Sequence, residues 1–177
     1  RTKMTIAENN PLIGLEGLPP FSKIKPAHVV PALKAAIAEC RTKIDEVLAT
    51  KSYTWNDLVL PLEEADDKLS RLFSPVSHMN SVVNNDELRE AYEQCLPLLS
   101  EYSTFVGQHQ GLYDAYNALH NSDEFKTLTT AQQKTITNAL RDFELSGIAL
   151  KPEQQKRYGE ISARLSELAS KFGNNVM

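Results

Sequence analysis

Four histidines, His28, His78, His109 and His120, are the first side chains to weigh as metal ligands or general bases. None is followed by Glu, so the His-Glu-x-x-His arrangement is absent in every register. That motif sets two imidazoles on one helix face around a zinc ion, with the glutamate as base. No two histidines stand three or four residues apart, so no helix face carries an imidazole pair. Ser77 precedes His78, a nucleophile next to a base in sequence. Adjacent helical residues point about 100° apart, however, and do not share a proton. These histidines are expected to cap helices or face solvent.

The acidic pairs Glu63-Glu64 and Asp66-Asp67 are the other candidates. At helical spacings of three and four, their carboxylates are able to hold a cation or to divide acid and base work. The simpler reading is a solvated helix face, with Lys68 and Arg71 in reach for pairing. Cys40 and Cys95, with no Cys-x-x-Cys, make neither a zinc knuckle nor a disulfide framework, and both fall on apolar helix faces as expected free thiols. Among the glycines only Gly14 and Gly17 are closely spaced, which makes no phosphate loop. No catalytic, cofactor-binding or metal-binding role is assigned to any residue of this chain.

The elements that would position these groups are helices. Val30, Leu33, Ile37, Cys40, Ile44 and Val47 alternate at three and four. That spacing predicts a helix, with a turn from Pro26 and regular structure from about Val30. A second stripe runs Trp55, Leu58, Leu62, Ala65, Leu69, Leu72, Val76, Met79 and Val83. Thr54 is its predicted N-cap, and Pro61 and Pro75 are expected to kink this longest helix rather than end it. Leu69 and Leu72, mid-stripe, are expected to be buried. After the turn at Asn84-Asn85-Asp86, Leu88, Tyr92, Cys95, Leu99, Tyr102 and Val106 make a third helix. Leu112 to Leu119 make a short fourth helix. A fifth carries Ile136, Leu140 and Phe143, with Thr130 and Gln133 as capping box and Gly147 after its end. The sixth presents Tyr158, Ile161, Leu165, Leu168 and Phe172 on one face. No alternating β pattern occurs. The predicted fold is all-α, an antiparallel bundle of about six helices over residues 26–177, preceded by an extended lead-in over 1–25 that Leu18 and Phe21 pin down.

The 177 residues are enough for one domain with a sizeable core. With 19 basic and 23 acidic residues and no basic patch, neither nucleic acid nor an anionic membrane is an expected partner. No apolar run reaches the roughly 18 residues of a membrane span, and Arg1 to Pro11 lacks the apolar region of a secretory signal.

Beyond these patterns, several stretches carry a likeness. They are Leu18-Pro-Pro-Phe21, Arg71-Leu-Phe-Ser-Pro-Val-Ser-His-Met-Asn80, Leu88-Arg-Glu-Ala-Tyr92 and Leu98-Leu-Ser-Glu-Tyr-Ser103. Leu140-Arg-Asp-Phe-Glu-Leu-Ser-Gly-Ile148, Leu165-Ser-Glu-Leu168 and Asn174-Asn-Val176 continue the series. From Leu18 to Met177 the chain resembles the beginning of the thimet-oligopeptidase-type zinc metallopeptidases. The resemblance implies a cytoplasmic enzyme several times longer than this chain, hydrolysing short peptides with a zinc-bound water. Its zinc ligands lie in a C-terminal catalytic region, so this segment is expected to bind no zinc and to cleave nothing alone. The early helices would form one wall of a substrate channel. Without the resemblance, the bundle reads instead as a free-standing helical protein-interaction module.

Overall fold

The computed structural model describes residues 10–13, 23–82 and 85–176. Among the described residues there are seven α-helices: α1 Pro26–Ala49, α2 Leu60–Val82, α3 Asp86–Gly107, α4 Gln110–His120, α5 Asp123–Thr127, α6 Thr130–Leu145 and α7 Pro152–Val176. No strand occurs among the described residues. The predicted six helices thus become seven, because a five-residue turn of helix, α5, occupies the link where only a turn was expected.

Helix α1 is regular from Pro26, not from Val30. Its first turn is held by His28, whose Nδ1 accepts the Lys25 N–H at 3.1 Å. The second helix keeps its stripe through Pro75. At Pro61 the helix continues, as expected, and the missing N–H is accommodated by a local change of helical type. Residues Trp55–Val59 form a π-helical turn running straight into α2, with the Leu60 N–H reaching back to the Trp55 carbonyl. The wider turn eases the clash that the proline ring makes with the carbonyl four residues earlier. Thr54 caps this turn, its hydroxyl accepting the Asp57 N–H at 3.1 Å. Asn85 caps α3 through the Leu88 N–H at 3.0 Å.

The capping box of α6 is Thr129 with Gln132, one residue earlier than expected. Both registers fit the pattern in sequence. The observed one frees Gln133 to donate to the Phe125 carbonyl at 2.8 Å, which ties α5 to α6. Gly147 takes a φ of 86° beyond the end of α6, the left-handed conformation a helix-terminating glycine supplies.

Two apolar cores share α1. The N-terminal half of α1 packs with α2, α3 and Leu12, and Leu33, Val76 and Cys95 are fully enclosed there. The C-terminal half packs with the π turn, α4 and α6, around Leu58, Leu119 and Ile136. Leu72 is buried as expected, but Leu69 is only half-buried, at the rim of a cavity beside α1. The lead-in anchors expected at Leu18 and Phe21 lie outside the described residues. The described anchor is Leu12, 1% exposed. Asn10 fastens it, its Nδ2 donating to the His28 carbonyl at 2.8 Å and its Oδ1 accepting the Leu12 N–H at 3.1 Å.

Helix α7 turns its apolar stripe outward. Its apolar residues are not core: Ile161 is 46%, Leu165 62%, Leu168 46% and Phe172 72% exposed. The half-buried face instead comprises Tyr158, Gly159, Ser162, Ser166 and Ser170. Small side chains let α7 approach α3 closely, and a Cβ on Gly159 would touch Thr104 at 3.4 Å. Polar ties complete the seam. Gln108 Nε2 donates to the Gln155 carbonyl at 3.2 Å, and the Asn174 amide donates to Glu93.

Candidate functional site

Where the two cores meet, the helices leave a cleft of about 710 Å³. That is the size of a small-molecule or peptide side-chain pocket. Its floor is apolar, with Ile44 of α1, Leu62 of α2, Val106 of α3, Leu112 of α4 and Phe143 of α6. Its polar groups come from every side. Helix α2 contributes Glu63 and Asp66, α3 contributes Tyr102 and Ser103, α4 contributes Tyr116, and α6 contributes Thr135, Asn138 and Asp142.

Three of these groups are carboxylates, and among the described residues no Lys, Arg or His lines the cleft. Among the described residues none of the three makes an ion pair. Lys68 of α2 pairs with Glu39 at 3.3 Å, and Arg71 with Asp67 at 2.7 Å, so the nearby cations are engaged elsewhere. The four acids of α2 therefore divide. Asp67 belongs to the solvated, paired face that the sequence suggested, and Glu64 lies in the cavity beside α1. Glu63 and Asp66, at i and i+3, turn into the cleft instead.

The electrostatics follow from this placement. Desolvation, and then the neighbouring Glu63, push the Asp66 carboxyl up to about 6, although Asp66, like Glu63 and Asp142, is exposed at the mouth of the cleft. Tyr116 is 7% exposed, and burial followed by Glu63 and Asp66 raises its hydroxyl. That hydroxyl has no hydrogen-bond partner among the described residues. Tyr102, also 7% exposed, lies beside Cys40, whose thiol donates to the Ala65 carbonyl at 3.6 Å, and burial raises both groups. Cys95, inside the other core, is pushed up to about 11 by desolvation alone. Cys40 and Cys95 are both free and buried, inert thiols rather than nucleophiles.

The histidines are spread over separate elements. His28 caps α1, and His109 caps α4, its Nδ1 accepting the Leu112 N–H at 3.2 Å. His120 packs against Phe125 with ring centroids 4.6 Å apart, and His78 lies exposed on α2, not in the cleft. Among the described residues no three His, Cys, Asp or Glu side chains come together as a metal would require. No helix is long and apolar enough to cross a membrane. The cleft lining offers carboxylates, phenols and hydroxyls over an apolar floor, groups suited to holding a ligand by charge and hydrogen bonds. Sequence reasoning met Glu63 and Asp66 only within the acidic pairs Glu63-Glu64 and Asp66-Asp67, read first as a solvated face, and did not single out Tyr116 or Asp142. Their only signal was an ordinary helical stripe.

Comparison with known proteins places the bundle. Residues 33–155 match the family model "Neurolysin/Thimet oligopeptidase, N-terminal domain". Oligopeptidase A of Haemophilus influenzae is 61% identical over 169 residues, covering 96% of this chain and 25% of that protein. Oligopeptidase A of Escherichia coli is likewise 61% identical, over 95% of this chain and 25% of its own length. A probable cytosolic oligopeptidase A of Arabidopsis thaliana is 29% identical over 96% of this chain. The chain thus spans about a quarter of the length of the curated relatives it matches. By this match the chain belongs to the neurolysin/thimet oligopeptidase family, as its N-terminal domain.

Proposed function

We propose that this helical domain forms one wall of the substrate channel of a cytoplasmic, zinc-dependent oligopeptidase that hydrolyses short peptides. The zinc and the residues that activate its water belong to a C-terminal catalytic region outside these 177 residues. The wall selects substrate by shape and polarity and takes no part in bond cleavage. The observation that carries this reading is coextension: nearly the whole chain aligns with a quarter of each bacterial relative.

The outward face of α7 fits the same reading. Ile161, Leu165, Leu168 and Phe172 leave a long apolar stripe in water. Covering such side chains is worth ~1.5–3 kcal/mol each. A catalytic region packed on that stripe would supply the burial that the isolated bundle does not.

The test compares two forms of the protein. The full-length protein should hold stoichiometric zinc and cleave a quenched fluorescent short peptide, but not a folded protein. A chelator should stop the cleavage. The 177-residue chain should do neither, and should bind a hydrophobic dye or self-associate until Leu168 and Phe172 are made polar. Chelator-insensitive cleavage by the full-length protein, or peptidase activity in the 177-residue chain, would refute the proposal.

A further inference from the structure

We propose that the cleft between α2, α3, α4 and α6 is a binding site for a peptide-borne organic cation, held by Glu63 and Asp66 with Tyr116 at its base. That the cation arrives on a peptide rests on the channel-wall reading. That the site takes a cation at all rests on the cleft.

Three observations converge on a positive ligand. First, the lining carries the carboxylates of Glu63, Asp66 and Asp142 and no basic side chain. The neighbouring cations that would neutralise them are already paired, Lys68 with Glu39 and Arg71 with Asp67. Second, Tyr116 is 7% exposed, lines the cleft and leaves its hydroxyl without a partner among the described residues. A hydroxyl held there is free to accept an N–H. Third, the walls between the charges are apolar and aromatic, with Leu62, Val106, Leu112 and Phe143. Such walls suit the alkyl stem and weakly hydrated head of an ammonium or guanidinium better than a bare metal ion. The absence of any three-ligand cluster among the described residues agrees.

The electrostatics of the site point the same way. Asp66 lies well above the ordinary carboxylate range because it is desolvated beside Glu63 with no positive partner. A bound cation would reverse that penalty, so the cleft gains most from a ligand that brings charge. Unpaired carboxylates around the rim of an apolar cleft also attract cations to its mouth.

The ammonium or guanidinium has two sources on a peptide, a lysine or arginine side chain or the free α-amino group. The experiment separates them with three peptides of otherwise identical sequence. One is acetylated and carries a single Lys, one is acetylated with Gln in its place, and one has the Gln and a free N-terminus. Each is titrated against the full-length protein by isothermal calorimetry, with zinc removed so that nothing is cleaved. The wild type should bind one or both cationic peptides more tightly than the neutral one. The isosteric double variant Glu63→Gln/Asp66→Asn should lose roughly ten-fold or more of that affinity, as expected when charge-assisted hydrogen bonds are deleted, and leave the neutral peptide unchanged. Tyr116→Phe should weaken the cationic peptide a few-fold. Asp67→Asn, which breaks only the surface pair with Arg71, should have no effect.

Circular dichroism of each variant checks that the bundle is intact. Equal binding of all three peptides by the wild type overturns the inference. So does a preference that survives the double variant, or a cleft sealed by the rest of the chain so that no peptide reaches it. Cation-selective binding by a full-length protein that cleaves no peptide would instead overturn the channel-wall reading and leave the cation site standing.

Discussion

Gly107 closes α3 against the end of α6, and adding a single methyl group there should be costly in a way helix propensity does not foresee. A Cβ at Gly107 would lie 2.4 Å from Ser146 Oγ and 2.5 Å from Ser146 Cβ. Unstrained heavy-atom contacts lie near 3.5–4.0 Å, so the overlap is about 1 Å. Ser146 has little room to yield. Its N–H donates to the Asp142 carbonyl at 2.9 Å, and its own carbonyl accepts from Gln108 Nε2 at 3.1 Å. Overpacking of this kind costs ~1–3 kcal/mol. Ala is favoured over Gly in a helix by ~0.5–1 kcal/mol, which offsets part of the loss. Gly107→Ala should therefore destabilise by about 1–2 kcal/mol, lowering the Tm by roughly 2–8 °C for a domain of this size. Thermal and urea unfolding followed by circular dichroism would measure it, alongside Ser146→Gly and the double variant. Removing the Ser146 side chain clears the space, so the double variant should recover at least about 1 kcal/mol of coupling energy. A Gly107→Ala protein as stable as wild type, or one equally damaged in the Ser146→Gly background, would show that the close approach does not constrain this residue.

Burial separates two leucines that look alike in sequence. Leu119→Ala, fully enclosed in the core around α4, should cost ~2–5 kcal/mol, whereas half-buried Leu69→Ala should cost clearly less in the same unfolding assay. Asp66→Asn should change stability with pH in a defined direction. The unfolded carboxyl titrates near ~3.9, and the folded one is raised to about 6. Below the lower value both states are protonated and the variant should be neutral. Between them the folded state holds the extra proton, so wild-type stability falls as pH rises, and above about 6 the full penalty remains. Two pH units correspond to about 3 kcal/mol, which solvent screening at this partly exposed group reduces to about 1 kcal/mol. The variant should thus gain roughly that much at pH 7.5 and nothing at pH 3.5. A pH-independent difference would remove Asp66 from the cleft electrostatics.

What the sequence determined by itself was local. A stripe of apolar residues at three and four names a helix because the backbone period is intrinsic, and this held for every long element from α1 to α7. Caps were legible for the same reason: Thr54, Asn85 and Gly147 act on backbone groups within a few residues. Where two registers satisfied one local rule, as at Thr129 and Thr130, only the contact of Gln133 with Phe125 chose between them. The tertiary structure decided everything that depends on a distant partner. It turned the apolar stripe of α7 outward, because the serine and glycine face fits closely against α3 and no described element covers the other side. It also separated Glu63 and Asp66 from Glu64 and Asp67, residues that sequence treats as one acidic run. A helix rotates successive side chains by about 100°, so adjacent acids face different neighbours. What those neighbours are, a paired surface or an uncompensated cleft, is set by how α3, α4 and α6 pack around α1 and α2.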